Sequence, residues 1–588
     1  MTIPQKFFIE RSIEILYRGT IDSYRVRARN PKSILEELKN TISAFERKQL
    51  KHFISITATA QSKFALRDEA LDFITLQPNY LKFVTFSAEF FQVQLKQLTE
   101  NNFKQVKNCV EIILNENVSY LTEVLNGLKV LLGQNPPPGN DLFELLKNLD
   151  TTLTILFTEL LEVGFSKGFL YRYLFAAFVN NFTAAGDFDV EFDLFRDRVT
   201  VVPGTYQIVF KLDTTPEVIQ GIQAIGNGVQ LLNDLAQFNH LVGNAEFDRF
   251  STPHANRRFI LCDIVAQDYL GALKIAKGLL AENLDVLNLG FSDQTINVHS
   301  RVLVIDAGNI NDAQFQVTTN FLDGKYKVAR EHYEQFIVKL PALNANTFIF
   351  PETKEKIKSA IRYLRLGNES TEVEHKFINY WIGLEYLFSN YESSDTINRI
   401  KGYFVACHSL SYVKRNAFDF HKNVSKLPPL ELALITQYDE DPLVCLVNPN
   451  FYIQISSILL QERPLIAYRA SQLGSVLAPV TGNHLIKKYV EKHQKNSLIH
   501  FTRIYRLRNE IVHDAATNTN NESIAANLRY YLTFILNGVI DFLSVVDSRH
   551  KGIEDYFTLN EIYLANLSHN GWGLMDSLCV TTPIDFIH

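Results

Sequence analysis

The residues best suited to chemistry lie near the C-terminal end of the chain, in the run Arg-Ile-Tyr-Arg-Leu-Arg-Asn-Glu-Ile-Val-His from Arg503 to His513. On an ideal helix, with about 100° between successive residues, Asn509 and His513 are one turn apart and share a face. Arg508 lies about 140° from His513, but its long side chain can reach round the helix. An arginine, an amide and a histidine can therefore meet one phosphate group.

The chemistry that suits these three groups is cleavage of RNA by its own 2′-hydroxyl. The hydroxyl must lose its proton, the charged pentavalent phosphorus must be stabilised, and the leaving 5′-oxygen must gain a proton. A histidine that titrates near neutral pH can carry protons, and an arginine can hold the phosphate through two hydrogen bonds. Asn509 can orient the histidine or bind the phosphate. No metal and no cofactor is needed, and the expected products are a 2′,3′-cyclic phosphate, or its opened form, and a 5′-hydroxyl.

The Arg-polar-x-x-x-His pattern that ends at His513 resembles the signature of the HEPN superfamily. Residues 372–390 are similar to the opening helix of the Apea-like HEPN subgroup, with an aromatic-rich face and an internal Glu385. Residues 523–543 are similar to its closing helix. The resemblance spans about residues 350–545 and implies an all-α, HEPN-like helical bundle with the motif on a late helix.

The resemblance implies a metal-independent endoribonuclease that cuts RNA, such as transfer or messenger RNA, with Arg508, Asn509 and His513 as its catalytic residues. One histidine cannot easily act as both acid and base on opposite sides of a phosphorus atom. HEPN ribonucleases pair two domains for this purpose, so a single motif implies a homodimer with a composite site. Members of the family serve in anti-phage defence, in abortive infection or as toxins, which implies a phage-derived trigger or a regulatory partner.

Two further arginines can extend the cleft along the RNA backbone, Arg503 and Arg506. Alternatively, Arg506 pairs with Glu510 one turn later, which stabilises a helix by only a few tenths of a kcal/mol. Glu385 can brace the motif or be a partly buried acid with a structural partner.

The remaining histidines near the motif are expected to have ordinary roles. His375 can face the cleft, but its charged neighbours favour a position on the surface. His500 is expected to be an exposed helix residue. Cys407 and His408 are adjacent but have no second pair of ligands, so zinc is not expected there.

Two rival functions fit the same residues. The HEPN-like part can be a non-catalytic module for binding or dimerisation, in which Arg508 and His513 hold helices together or grip a nucleotide or RNA. A third class is a nucleic-acid binder without chemistry, whose RNA affinity would fall with salt while the RNA stays intact.

Composition favours an intracellular globular protein. Hydrophobic residues make up 46% of the 588 residues and charged residues 21%, which is ordinary for packed domains. The net charge is −6, yet residues 481–513 carry four lysines and three arginines against two glutamates, a local balance of +5 that suits a polyanion. Five scattered cysteines without a Cys-x-x-Cys pair favour a reducing cytoplasm. The start lacks a signal-peptide pattern, no stretch suits a membrane span, and no nucleotide-binding loop is present.

The chain is expected to be mainly α-helical with a smaller α+β module. We divide it into four regions by pattern: a helical region 1–185, a sensor or regulatory α+β module 186–345, the HEPN-like domain 346–545 and a C-terminal tail 546–588. A proline-bearing insert, about 409–482, lies within the third region.

The strands of the α+β module are predicted from alternating apolar residues. Phe188–Leu194 and Tyr206–Leu212 are predicted to form a hairpin around Pro203 and Gly204. A strand–helix–strand unit is expected next, with strands at Phe259–Val265 and Leu284–Leu289 and a helix between them. The last two predicted strands are Arg301–Asp306 and Ala313–Thr319.

Overall fold

The computed structural model is mainly helical, with one small antiparallel sheet, as the sequence predicts. It describes residues 1–18, 29–48, 66–75, 80–180, 187–215, 228–290, 296–318, 322, 330–390, 396–477, 484–514, 522–545, 547, 549–570 and 573–579. The chain forms two compact units, one from Met1–Thr158 together with Leu322–His588 and the other from Glu159–Phe321.

The first unit begins with a series of helices. In chain order these are α1 (Ile3–Leu16), α2 (Pro31–Glu46), α3 (Leu66–Thr75), α4 (Ala88–Lys96), α5 (Phe103–Glu116), α6 (Tyr120–Leu132) and α7 (Asn140–Val163), which extends past the boundary between the units. Helix α2 begins at a side-chain cap, because Asn30 Oδ1 accepts a hydrogen bond from the Ser33 amide at 2.7 Å. Its buried residues Ile34, Leu38 and Ile42 recur every four positions and form its inward face.

The second unit combines helices with the sheet. Its elements are α8 (Lys167–Phe175) with a π-helical turn (Ala176–Asn180), α9 (Phe188–Thr200), β1 (Gly204–Asp213), β2 (Gln230–Leu232), a 3₁₀ helix (Ala236–Leu241), α10 (Ala245–Phe250), β3 (Arg257–Ala266), α11 (Tyr269–Gly290), β4 (Asn297–Asp306) and β5 (Asn309–Val317). The strand order is β2-β3-β1-β4-β5 and the pairs are antiparallel.

Alternating side chains of β1 serve two separate cores. Ile208 and Phe210 lie in a cluster with Ala272 and Ala276 of α11, whereas Val209 lies in a second cluster with Phe247 of α10. Both faces of the sheet are therefore covered. The structure confirms the strands predicted at Tyr206–Leu212, Phe259–Val265 and Arg301–Asp306, and it confirms the strand predicted at Ala313–Thr319 as far as Val317, where β5 ends.

The predicted strand at Phe188–Leu194 is wrong, because these residues form the first half of α9. Phe188 and Phe192 are buried on one side of the helix, and Phe195 continues the same face at helical spacing. Asp187 caps the helix by accepting a hydrogen bond from the Asp189 amide at 2.9 Å. The hairpin is therefore absent, and β1 pairs with β3 and β4 instead.

The predicted strand at Leu284–Leu289 is also wrong, because the helix that begins at Tyr269 continues to Gly290. The helix expected between the two predicted strands is itself confirmed. A short apolar run has no period of its own that separates a buried strand from the end of a long helix. The strand that follows α11 in the structure is β4.

The rest of the first unit is helical. Its elements are α12 (Arg330–Ala345), α13 (Pro351–Glu369), α14 (Val373–Phe388), α15 (Thr396–Arg399) with a π-helical turn (Ile400–Phe404), α16 (Val405–Leu410), α17 (Tyr412–Val424), α18 (Pro429–Leu432), α19 (Pro442–Leu446), α20 (Pro449–Ile458), α21 (Pro464–Leu477), α22 (His484–Asp514), α23 (Glu522–Ser544), α24 (Ile553–Asn570) and α25 (Leu574–Leu578). The proline-bearing insert is thus a set of short helices. The region assigned to a tail contains α24, whose Phe557 stacks on Phe388 at 4.4 Å between ring centroids.

Helices α13, α14, α22 and α23 share one aromatic and aliphatic core. Trp381 and Leu384 of α14 belong to this core, as do Phe501 of α22 and Tyr531 of α23. The rings of Phe501 and Tyr531 are 5.1 Å apart and stacked. The C-terminal region is helical, as expected, over the residues that the structure describes, and this core sets the rotation of α22.

No helix among the described residues is long and apolar enough to cross a membrane.

Gly383 allows α14 to approach its neighbours closely, and we predict that Gly383→Ala destabilises the unit. The added methyl group would lie 2.9 Å from Leu532 Cδ2 and 3.3 Å from Tyr363 Cβ. Overpacking of this kind costs about 1–3 kcal/mol, and denaturant unfolding measures it. Gly402→Ala is the matched control, because its methyl group meets no described atom within 4 Å. Equal free energies of unfolding for the two variants would contradict this packing.

Candidate functional site

The candidate site lies on the C-terminal part of α22, a helix of 31 residues. Phe501, Ile504 and Leu507 are buried in the shared core, at spacings of three residues that define one face. Arginine and asparagine side chains between and beyond them therefore project away from that core. Near the end of the helix Val512 is 48% exposed, so the last turns reach the surface.

Arg508 and Asn509 contact each other directly. Arg508 donates a hydrogen bond from Nη1 to Asn509 Oδ1 at 3.2 Å, and both residues are half-buried. A guanidinium has five N–H donors, so one bond to the amide leaves donors that can bind a phosphate. The structure thus gives Asn509 a role in orienting Arg508.

His513 lies in the last turn of α22, four residues after Asn509. Its side chain is outside the described part of the structure. The helical spacing nevertheless places position 513 one turn beyond position 509 on the same side of the helix. The three residues of the motif are therefore together on one helix end.

Arg503 and Arg506 are held by carboxylates of the N-terminal helices. Arg503 donates from Nε to Glu37 Oε2 at 3.2 Å and also pairs with Glu69, while Arg506 donates from Nη1 to Glu37 Oε1 at 3.1 Å. Glu37 also pairs with Arg29. These bonds occupy the guanidinium groups that the sequence assigns to the RNA backbone, and they connect α2 and α3 to α22.

The pairing is largely shielded from water. The side chains of Arg503 and Glu69 are 12% and 7% exposed. Burial, with the adjacent Arg503 charge, lowers the pKa of Arg506 to about 10, although Glu69 and Glu510 act in the opposite direction. Arg506 therefore remains charged at neutral pH. Arg506 thus interacts electrostatically with Glu510, one turn later, and also donates a hydrogen bond to Glu37 of α2.

Glu385 has a structural partner on its own helix. Its Oε2 accepts a hydrogen bond from Trp381 Nε1 at 3.1 Å, and the residue is half-buried. This is the second of the two roles considered for Glu385. His375, also on α14, is exposed, as expected.

The expectation that His500 is exposed is wrong, because it is 4% exposed and its Nδ1 lies 2.8 Å from the hydroxyl of Tyr531. Positions 493, 497, 500, 504 and 507 recur at three- and four-residue spacing, which places His500 on the buried face of α22. The spacing is present in the sequence, but the polar imidazole at position 500 does not indicate that this residue is buried.

A second buried histidine network joins α16, α17, α22 and α23. The guanidinium of Arg415 can only donate, and its Nη2 lies 2.8 Å from His408 Nε2, so that nitrogen accepts. The proton of His408 must then be on Nδ1, which donates to His493 Nε2 at 2.8 Å. Tyr530 completes the network through its hydroxyl, 3.2 Å from His408 Nε2.

This network holds neutral imidazoles. Burial, followed by the charge of Arg415 and by His493, lowers the pKa of His408 well below its usual range. Cys407 beside it is buried, and its thiol is free. Within the described ranges no group of three or more histidine, cysteine or acidic residues could hold a metal ion.

No family model matches the chain, and no curated protein or solved structure matches it either.

We predict that the first unit loses stability as the pH falls below about 6.5, in part through His500. Burial, with Arg503 and Arg29 nearby, lowers the pKa of His500 to about 3 from an ordinary 6.5. Below pH 6.5 the unfolded chain therefore binds a proton that the folded chain does not, and stability falls until the pH reaches the folded value. Near pH 5 this single group costs about 2 kcal/mol.

Urea unfolding at neutral pH and near pH 5 measures this effect. His500→Phe should reduce the pH dependence by about 2 kcal/mol, whereas His569→Gln, which changes an exposed histidine on α24, should leave it unchanged. A pH dependence that is the same in the parent protein and in His500→Phe would contradict the assignment.

Proposed function

We propose that this protein is a metal-independent endoribonuclease of the HEPN type. The observation that carries the proposal is the Arg508–Asn509 hydrogen bond one turn before position 513, at the exposed end of α22. Helix α22 packs with α14 and α23 in a helical bundle, which agrees with the order of helices in the family that the sequence resembles. The cysteines of the described residues are free thiols, and we place the activity in the cytoplasm.

His513 supplies the proton chemistry in this proposal. The 2′-oxygen of the RNA attacks the adjacent phosphorus as its proton passes to a base, and the bond from phosphorus to the 5′-oxygen breaks as that oxygen gains a proton. Arg508 stabilises the negative charge on the phosphorane oxygens. Asn509 holds Arg508 in position, so the Arg508 side chain loses little conformational freedom when RNA binds.

The proton transfers lie on opposite sides of the phosphorus atom, so one imidazole cannot easily do both. We infer that two chains associate and that each contributes His513 to a shared cleft. The nucleophile belongs to the RNA, and the reaction therefore requires no metal-bound water and no cofactor. The products have a 2′,3′-cyclic phosphate, or its opened form, and a 5′-hydroxyl.

An active ribonuclease of this kind would damage the cell that contains it. We propose that it is a regulated effector of anti-phage defence or a toxin, acting on transfer or messenger RNA, and that a phage-derived trigger or a regulatory partner switches it on. The family resemblance supports this role.

One observation favours a second function. Arg503 and Arg506 are paired with Glu37 and Glu69 rather than directed to solvent. A helix whose cations bind other helices can serve as a non-catalytic module for binding or dimerisation, in which the motif grips a nucleotide or RNA without cutting it.

We predict that the purified protein cuts total cellular RNA in EDTA and leaves 5′-hydroxyl ends. His513→Ala should lower the rate by a factor of about 100 or more, because a positioned acid or base contributes about 10²–10⁴. Arg508→Ala should lower it comparably, while His569→Ala, an exposed histidine on α24, should cut RNA like the parent. Equal cleavage by the parent and His513→Ala would contradict the assignment.

We also predict that His513→Ala leaves the free energy of unfolding within about 0.5 kcal/mol of the parent, as for a surface substitution. A histidine that holds helices together would cost about 1–3 kcal/mol. His500→Ala is the positive control, because it removes the buried contact with Tyr531. Unfolding in urea compares the three proteins, and a large loss in His513→Ala would favour the non-catalytic module.

A further inference from the structure

The basic helix α22 has a line of acidic partners from the N-terminal helices. Lys495 pairs with Asp72, Arg503 pairs with Glu69 and Glu37, and Arg506 pairs with Glu37. The acids belong to α2 and α3, and the cations follow one another along α22 toward the motif. Carboxylates thus contact Lys495, Arg503 and Arg506, which are among the cations that made the region 481–513 suitable for a polyanion.

The covered side of α22 continues into the candidate site. Position 506 is seven residues before position 513, which is two helical turns and a rotation of only about 20°. A strand of RNA with a phosphate at the end of α22 and its backbone along the same side would pass over Arg506 and then Arg503. Glu37 and Glu69 now occupy that path.

Carboxylate and phosphate present similar oxygen acceptors to a guanidinium, and arginine binds both through paired N–H donors. In this cluster three arginines share two carboxylates, since Arg29 also pairs with Glu37. A small cavity of about 10 Å³ remains between α2, α3 and α22, lined by both glutamates and both arginines of the pairs. At this point α2 and α3 therefore contact α22 through ion pairs, and other anions can compete with the two carboxylates for the arginines.

We propose that Glu37 and Glu69 occupy the places of RNA phosphates on α22. Helices α2 and α3 then cover the RNA track, which is the side of α22 that carries Arg503 and Arg506, until RNA displaces them. The inference rests on the proposed function, because it concerns the substrate of the same site. Arg503 and Arg506 then have two sets of partners, carboxylates in the free protein and phosphates in the complex. The helical N-terminal region acts as a competitive cover for the RNA track.

RNA binding in the His513→Ala background tests the proposal without cleavage. The probe is a fluorescent single-stranded RNA of mixed sequence, and its anisotropy gives the affinity at several salt concentrations. Adding Glu37→Gln and Glu69→Gln should tighten binding at least tenfold. Two further phosphate contacts should steepen the dependence of log K on log salt by about 1.4. Adding Arg503→Gln and Arg506→Gln should remove the gain.

The matched control is Glu46→Gln with Glu123→Gln. It changes the net charge equally, but its carboxylates pair with Lys107 and Lys82, away from α22. An affinity of the Glu37→Gln, Glu69→Gln protein equal to that of this control would overturn the proposal. If that result came with RNA cleavage by the parent, the proposed function would stand and only the cover would fail. If no variant bound RNA at all, both would fail.

Hydrogen exchange gives a second test that needs no substitution in the cluster. When RNA is added to the His513→Ala protein, amide exchange should rise in Pro31–Glu46 and in Leu66–Thr75, because α2 and α3 lose their contacts with α22. Helix α20, which packs mainly on α21 rather than on α2 or α3, serves as the internal reference. Unchanged or slower exchange in α2 and α3 would overturn the proposal even if the Glu→Gln variants fail to fold.

Discussion

The packing of one face of α22 against α14 and α23 determines where every polar group of that helix lies. Phe501, Ile504 and Leu507 are buried in this contact, and their removal from water stabilises the helix in this orientation. With the rotation fixed, Arg503 and Arg506 must meet the N-terminal helices, and Arg508 must lie near the helix end. A different rotation would bury the arginines without partners, which is far more costly than burying aliphatic groups.

The same constraint accounts for the unusual polarity of the interior. His500 lies on the apolar face of α22, and it is tolerated there because Tyr531 provides a hydrogen-bond partner. His408 can be buried because its two ring nitrogens form hydrogen bonds, one with Arg415 and the other with His493. Burial and nearby arginine charges lower the pKa of His500 and the pKa of His408, so both imidazoles are neutral at neutral pH. The motif at the exposed end of α22 is separate from these networks along the helix.

Local patterns in the sequence predicted much of the fold and the motif, and they failed where the pattern was ambiguous or the contact was distant. Strand β1 was predictable because alternation over Tyr206–Leu212 fits only a strand. Phe188 and its neighbours fit both the two-residue period of a strand and the period of a helix. The Asp187 cap and the buried Phe195 favour the helix. The Arg503–Glu37 pair joins residues 466 positions apart, and no local pattern encodes such a partner. The sequence therefore predicted arginines suited to phosphate but not the carboxylates that hold them.

In the proposed reaction the RNA's own 2′-hydroxyl is the nucleophile. This role is tested most directly with two synthetic RNAs that contain a mapped cleavage position, one of them with a single 2′-deoxynucleotide immediately 5′ to the scissile phosphate. We predict cleavage of the all-ribose strand and none of the substituted strand at that position, because the attacking oxygen is missing while the phosphate and both bases are unchanged. Cleavage of both strands at equal rates would require an external nucleophile and would contradict the mechanism.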